Sequence, residues 1–393
     1  MPGPLLLDLS HTSHTRARTG IQRVARSLHA ALGNRAVPIT HDPWEGVWRR
    51  LEHWEMASLA ADHSAAQRGA RWPLLARLRG RWRREFRPAQ TLPDSSGLIV
   101  PEVFSPGAAA ALPDLFARTL GPRVAIFHDA IPLSHPEHTP AKTVARFPSY
   151  LAELRAFDGI AAVSEESRRA LEHYWRVHGT GAPPVQAIPL GVEPPPRPAT
   201  RADGTGNTPP IVLSVGSIEG RKNHLALLEA CEQLWQQGER FTLHLVGLAN
   251  LETGAAALAR IRALQSAGRP IRYDGPVDEA ALQSAYAGCD FTVYPSVAEG
   301  FGLPVIESLV HGKPCVCSAR GALGESAQGG GCLTVESVAA ADLAAAIAQL
   351  LREPSMRGAL ATAARQRRFK TWADYAAELT AWMETLPRRQ ARH

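Results

Sequence analysis

Glu299 and Glu307 stand eight residues apart around Gly300-Phe301-Gly302-Leu303-Pro304. Carboxylates accept hydrogen bonds from sugar and ribose hydroxyls. The glycines permit close backbone approach, and a helix opening at Pro304 offers free N–H groups to an anion. Hydroxyl acceptors around a phosphate cradle are the chemistry of a nucleotide-sugar site. Glu307 is expected in the first helical turn, where a carboxylate also meets the helix dipole favourably. Glu299 is expected in a loop beside Gly-Phe-Gly, where a carboxylate has no evident structural task. Upstream, Arg221-Lys222 follows a strand-like run ending at Gly216 and precedes a helix expected over 223–237. Two fixed cations there can neutralise a diphosphate leaving group, the task Mg²⁺ performs elsewhere. An Arg-Lys pair alone is a common exposed feature of helix ends; it gains meaning with the downstream cradle. Two carboxylates also fit a glycosidase acid/nucleophile pair, but that reading leaves Arg221-Lys222 without a role. His128, beside Asp129 after another strand-like run, and Gly20, at an expected helix start, complete the candidate set.

The segment from Pro295 to Lys313 resembles the Glu-x7-Glu signature of family-4 glycosyltransferases, which have the GT-B fold. Val215-Gly216-Ser217-Ile218-Glu219-Gly220-Arg221-Lys222-Asn223-His224 is similar to that family's donor-diphosphate loop. Phe127-His128-Asp129-Ala130-Ile131-Pro132 and Ala162-Val163-Ser164-Glu165-Glu166-Ser167 resemble its N-domain motifs, and Thr19-Gly20-Ile21-Gln22-Arg23-Val24 its first loop-to-helix turn. The resemblance implies a retaining, metal-independent transfer of a hexose from a nucleotide-diphosphate sugar. It assigns His128 to the donor sugar, Glu299 to sugar hydroxyls, Glu307 to ribose hydroxyls, and Arg221 and Lys222 to the diphosphate. Gly20, Gly216, Gly300, Phe301, Gly302 and Leu303 are implied as the backbone lining of the donor site. The chain departs from the family pattern at Thr19, where a glycine is usual, and at Gly220, where a proline is usual. The variant from His128 to Glu137 resembles bacterial polysaccharide mannosyl- and rhamnosyltransferases, which favours a GDP-linked donor. The implied acceptor is a saccharide, free or lipid-linked, in bacterial surface polysaccharide (lipopolysaccharide) synthesis. No cofactor is expected, and the absence of any Asp-x-Asp agrees with no metal.

Elements that position these residues follow from patterning. Strand-like runs at Leu5–Leu9, Leu98–Val100, Val124–Phe127 and Gly159–Val163 alternate with helical stretches, and so do Ile211–Gly216, Phe241–Gly247, Ile271–Tyr273, Phe291–Tyr294 and Pro314–Cys317. That alternation predicts an α/β protein of two doubly wound, Rossmann-like domains facing across a cleft. The chain of 393 residues suits two domains. The expected division is an acceptor-side domain over 1–195, a nucleotide-sugar domain over 208–370 and a helix over 371–393 crossing back. The Pro/Gly-rich stretch from Glu193 to Pro210 is the expected linker.

With 45% hydrophobic residues the composition supports two cores, and the net charge of +6 suits anionic ligands without selecting one. Cys231, Cys289, Cys315, Cys317 and Cys332 are expected as reduced core thiols of a cytoplasmic protein. Cys315 and Cys317 share one expected strand and are expected on its opposite faces, which argues against a chelating pair. No signal peptide and no membrane span is expected. Residues 44–87 stand apart: Trp44, Trp48, Trp54, Trp72 and Trp82 lie there, and eight arginines fall between Arg68 and Arg87. Basic helices with interleaved aromatics fit a membrane surface. The resemblance to a family that often works on lipid-linked acceptors implies peripheral contact with the inner membrane there, where the pattern alone favours a solvated basic face. A solvated basic face and a nucleic-acid patch are the alternatives, nucleic acid being the less expected partner. Rival functions are another sugar-nucleotide enzyme of this fold, an epimerase or phosphorylase, and a non-catalytic membrane or nucleic-acid binding module.

Overall fold

The computed structural model describes residues 3–15, 17, 20–60, 69–86, 92–179, 181–193 and 209–387. Thr19, Arg68, Arg87 and the linker from Pro194 to Thr208 lie outside the described residues. The first sheet contains β1 (Leu5–Asp8), β2 (Ala36–Asp42), β3 (Val47–Arg50), β4 (Gly97–Val100), β5 (Arg123–Phe127), β6 (Gly159–Ala162) and β7 (Val185–Ala187). Their order is β3-β2-β1-β4-β5-β6-β7, all parallel except β3 against β2. The second sheet contains β8 (Ile211–Val215), β9 (Thr242–Val246), β10 (Ile271–Tyr273), β11 (Phe291–Tyr294), β12 (Cys315–Ser318) and β13 (Cys332–Val335). It is parallel throughout, in the order β10-β9-β8-β11-β12-β13. In each sheet the chain winds outward in both directions from one central strand, β1 and β8. Ligands of such sheets bind beyond the strand C-termini at that reversal point.

β4, β5, β6, β11 and β12 are buried along their whole length, which explains their near-continuous apolar runs. The sequence signal misses β2, β3, β7 and β13. Pro38 interrupts β2, β7 has only three residues, and β3 and β13 are edge strands with partly exposed residues. The helix Trp372–Thr385, opened by a Thr371/Asp374 capping box, belongs to the core of the first sheet. Its Trp372, Tyr375, Leu379 and Met383 pack with Leu7, Val24 and Leu28.

Two expectations need correction. Cys315 and Cys317 share a face of β12, because residues two apart on a strand point the same way. β13 brings Cys332 opposite Cys315, so the three Sγ atoms lie within 4.8 Å of one another. The helix carrying Glu307 runs Leu303–Val310, which makes Glu307 its fifth residue, beyond the first turn.

The two sheets are joined at the loop after β11. Ser164 Oγ donates to the Gly300 carbonyl at 2.6 Å, and Ser167 Oγ donates to the His128 carbonyl at 2.8 Å. A Cβ on residue 300 would stand 2.1 Å from that His128 oxygen, so only glycine permits the approach. Gly302, at φ +98°, needs glycine for its backbone conformation. Beside this contact, Glu325 of the second domain accepts from the backbone N–H groups of Glu165 and Glu166, at 2.9 and 2.7 Å. It thereby caps the first-domain helix Glu165–Val177.

Candidate active site

β8 ends at Val215, and the chain turns through Gly216 into a short 3-10 turn, Gly220–Lys222. Asn223 then takes a left-handed conformation (φ +54°) before the helix His224–Gln236 begins. Asparagine tolerates that region better than most residues. This kink aims Arg221 and Lys222 into the cleft. Lys222 is nearly buried; its Nζ lies 2.6 Å from Glu299 Oε1 and also donates to the Tyr294 hydroxyl. Arg221 lies 2.8 Å from the same Glu299 oxygen and 2.9 Å from Glu219. The backbone N–H of Val297 donates to the Arg221 carbonyl at 2.9 Å, so the two site loops are tied together.

Glu299 therefore has a structural task, against expectation. It is the buried counter-charge of both cations, a pairing invisible in a sequence that places Lys222 77 residues from it. Burial pushes its carboxyl up, but Arg221 and then Lys222 outweigh burial and hold it at about 2. Burial pushes the Lys222 ammonium down from its usual range, with Glu299 opposing. The cluster is ionic, largely buried and pre-formed, a setting in which fixed charges act strongly on a developing phosphate charge.

Across the cleft, His128 follows β5 with its Nε2 2.7 Å from the Pro101 carbonyl oxygen. A carbonyl only accepts, so Nε2 carries the proton, and burial pushes the ring toward its neutral form. Asp129 is buried beside it; burial pushes its carboxyl up and Arg221 opposes. Gly20 is the first residue of the helix Gly20–Leu32.

Glu307 is paired differently. Tyr286 donates its hydroxyl to Glu307 Oε2 at 2.9 Å, and Arg23, from the first domain's helix Gly20–Leu32, forms an ion pair with Oε1. A cavity of about 540 Å³ lies between the domains. His128, Arg221, Lys222, Glu299, Gly20, Gly216 and Gly300 to Leu303 all line it, whereas Glu307 stands behind Arg23, which does. Tyr294 and Tyr286 are neighbours that sequence reasoning missed, and Arg23 and Asp129, although inside its motifs, were given no role. Arg23 had a signal, since it lies one helical turn after Gly20 on the same face. Tyr294 had a weaker one, a hydroxyl at the last position of a buried strand.

Residues 198–367 match the family described as Glycosyl transferases group 1. The serotype-specific mannosyltransferase WbdA of Escherichia coli is 25% identical over 335 residues, covering 79% of this chain and 38% of its own length. The O-antigen chain mannosyltransferase B of Escherichia coli is 37% identical over 107 residues, covering 27% of this chain and 28% of its own. The chain thus spans well under half the length of these curated relatives. Anabaena HepE, solved in complex with UDP and glucose, superposes with a TM-score of 0.69 over 98% of this chain and 100% of its own, at 16% identity. At that identity the likeness speaks to fold, and the fold is GT-B. The matched family and both of these relatives carry the name glycosyltransferase or mannosyltransferase.

Proposed function

We propose that the chain is a retaining, metal-independent glycosyltransferase. It moves a hexose, mannose in the first instance, from a nucleotide-diphosphate sugar to a saccharide or lipid-linked saccharide of a bacterial surface polysaccharide. The observation that carries the reading is the Arg221–Lys222–Glu299 cluster at the wall of the interdomain cavity. The two cations take the donor diphosphate as charge leaves the anomeric carbon. Glu299 and the neutral His128 bind hydroxyls of the sugar, and the backbone from Gly300 to Leu303 lies along the donor. In the reaction the anomeric carbon–oxygen bond to the diphosphate breaks, and the acceptor oxygen bonds to carbon from the same face. The departing phosphate oxygen takes the acceptor proton, so no protein base is required. Positioning and charge stabilisation supply the rate. Mannose is preferred because the two relatives described above are named mannosyltransferases.

The test is calorimetry with GDP, UDP, ADP and dTDP on the parent and on Lys222→Ala, followed by turnover in EDTA. One diphosphate should bind clearly best, and Lys222→Ala should weaken it by about 1.5–3 kcal/mol, the worth of a charge-assisted hydrogen bond. Turnover should survive the chelator. Equal affinity in parent and variant, or turnover abolished by EDTA and restored by Mg²⁺, would sink the reading.

The proposal includes contact with a membrane surface at the cytoplasmic side. Among the described residues no helix is long and apolar enough to cross a membrane. The helix Leu74–Phe86 nevertheless exposes Leu74, Leu78, Trp82 and Phe86, spaced four apart on one face. Arg77 and Arg81 lie over the Trp44 ring, and Arg79 and Arg83 pair with Glu52. An exposed apolar stripe flanked by arginines suits the interface of an anionic bilayer.

A further inference from the structure

Three of the five cysteines converge outside the cleft. Cys315 and Cys317 project from one face of β12, and Cys332 faces them from the adjacent β13. Their sulfurs lie within 4.8 Å of one another. Cys315 and Cys317 are fully buried, whereas Cys332 is partly exposed and opens the group to solvent. The lining is apolar: Tyr294, Val305, Leu309, Leu323 and Ala364 surround it. At the open side stands Arg367, held by its Nη1 donating to the carbonyls of Ser326 and Gly330 at 3.1 and 3.3 Å.

We propose that Cys315, Cys317 and Cys332 form a three-thiolate site for a thiophilic d¹⁰ metal ion, Zn²⁺ or Cu⁺. An isolated core cysteine is simply a small apolar residue. Three sulfurs converging from two paired strands, with one edge open to solvent, are a ligand set. Metal–sulfur bonds of about 2.3 Å place three sulfurs around a central ion about 4.0 Å apart. The sulfurs, within 4.8 Å of one another, stand at most about 0.8 Å beyond that separation. Soft thiolates in a dry pocket select these ions over Mg²⁺ or Ca²⁺. Binding forms three metal–sulfur bonds and releases the protons of whichever thiols were protonated, with no change of oxidation state. Arg367 offsets part of the remaining negative charge. The same apolar cluster contains Tyr294, the hydroxyl partner of Lys222, so a bound ion would stiffen the floor beneath the cleft.

The test uses the full chain, reduced and freed of metal, titrated with Cd²⁺ and with Zn²⁺. We expect one equivalent bound, protons released on binding, and a thiolate-to-Cd²⁺ charge-transfer band in the ultraviolet. Cys317→Ser and Cys332→Ser should each weaken binding by at least about 100-fold, the upper end of what even outer-shell partners contribute. Cys231→Ser, in the separate core beside β8, should bind as the parent does. Cys332 is partly exposed, so its serine variant should keep the parental circular dichroism and melting temperature without metal. Absence of the band in the parent, unchanged affinity in Cys332→Ser, or a disulfide among the three sulfurs in the protein as isolated would overturn the proposal.

Discussion

Glu299 is the residue on which two loops and two cations converge. Its carboxyl is held at about 2 against an ordinary 4.5, so it contributes stability above about pH 4.5 and loses it as pH falls toward 2. That difference corresponds to about 3 kcal/mol. Glu299→Gln keeps the shape and removes the charge. Urea unfolding in steps from neutral pH downward should show the parent losing about 3 kcal/mol more than Glu299→Gln across this window. Parallel curves would mean that the ion pairs carry no net stability. At neutral pH the same variant should turn over at least about tenfold more slowly, because a charge-assisted hydrogen bond to the donor is lost.

At the scale of elements, the loop Gly300–Gly302 and the helix Leu74–Phe86 make separate predictions. Gly300→Ala places a methyl 2.1 Å from the His128 carbonyl and must push the second domain off the first. It should cost about 1–3 kcal/mol, as overpacking does, together with most of the turnover. Gly358→Ala, inside the helix Pro354–Gln366 with open space around it, should instead stabilise by about 0.5–1 kcal/mol. Thermal unfolding of both variants checks the pair, and a neutral Gly300→Ala would refute the contact. For the basic helix, replacing arginines would also loosen its attachment, since four of them hold Trp44 and Glu52. The cleaner variant is Leu78→Ser with Trp82→Ser. Sedimentation with phosphatidylglycerol vesicles should show parental binding that falls with salt, and at least about tenfold weaker binding by the variant, since each buried apolar side chain is worth about 1.5–3 kcal/mol. Vesicle binding equal in both would return the stripe to an ordinary solvated surface.

Across the whole molecule, the Arg23–Glu307 ion pair bridges the domains and occupies the carboxylate proposed for ribose. Donor binding in that position must separate the two side chains. Arg23→Ala should therefore leave nucleotide-diphosphate affinity unchanged or tighter, whereas Glu307→Ala should weaken it about tenfold. In the double variant the gain from Arg23→Ala should vanish, because it acts only through Glu307. Calorimetry on all four proteins completes the cycle. Weaker binding in Arg23→Ala would instead make Arg23 itself a diphosphate ligand.

By itself the sequence determined the α/β alternation, the buried parallel strands and the short motifs after them. Each is a local property: an apolar run, a turn residue, a charge beside a glycine. It did not reveal β2, β3, β7 or β13, because a proline, a length of three residues and half-exposed edges weaken the local signal. Tertiary structure alone decided the pairings. Glu299 meets Arg221 and Lys222 because β8 and β11 are neighbours in the sheet, and Glu307 meets Arg23 because the domains close on one another. The same holds for the sulfurs of Cys315 and Cys332, brought together by strand register. Side-chain charge and shape are written locally, but which charges meet in the cleft depends on contacts between residues remote in sequence.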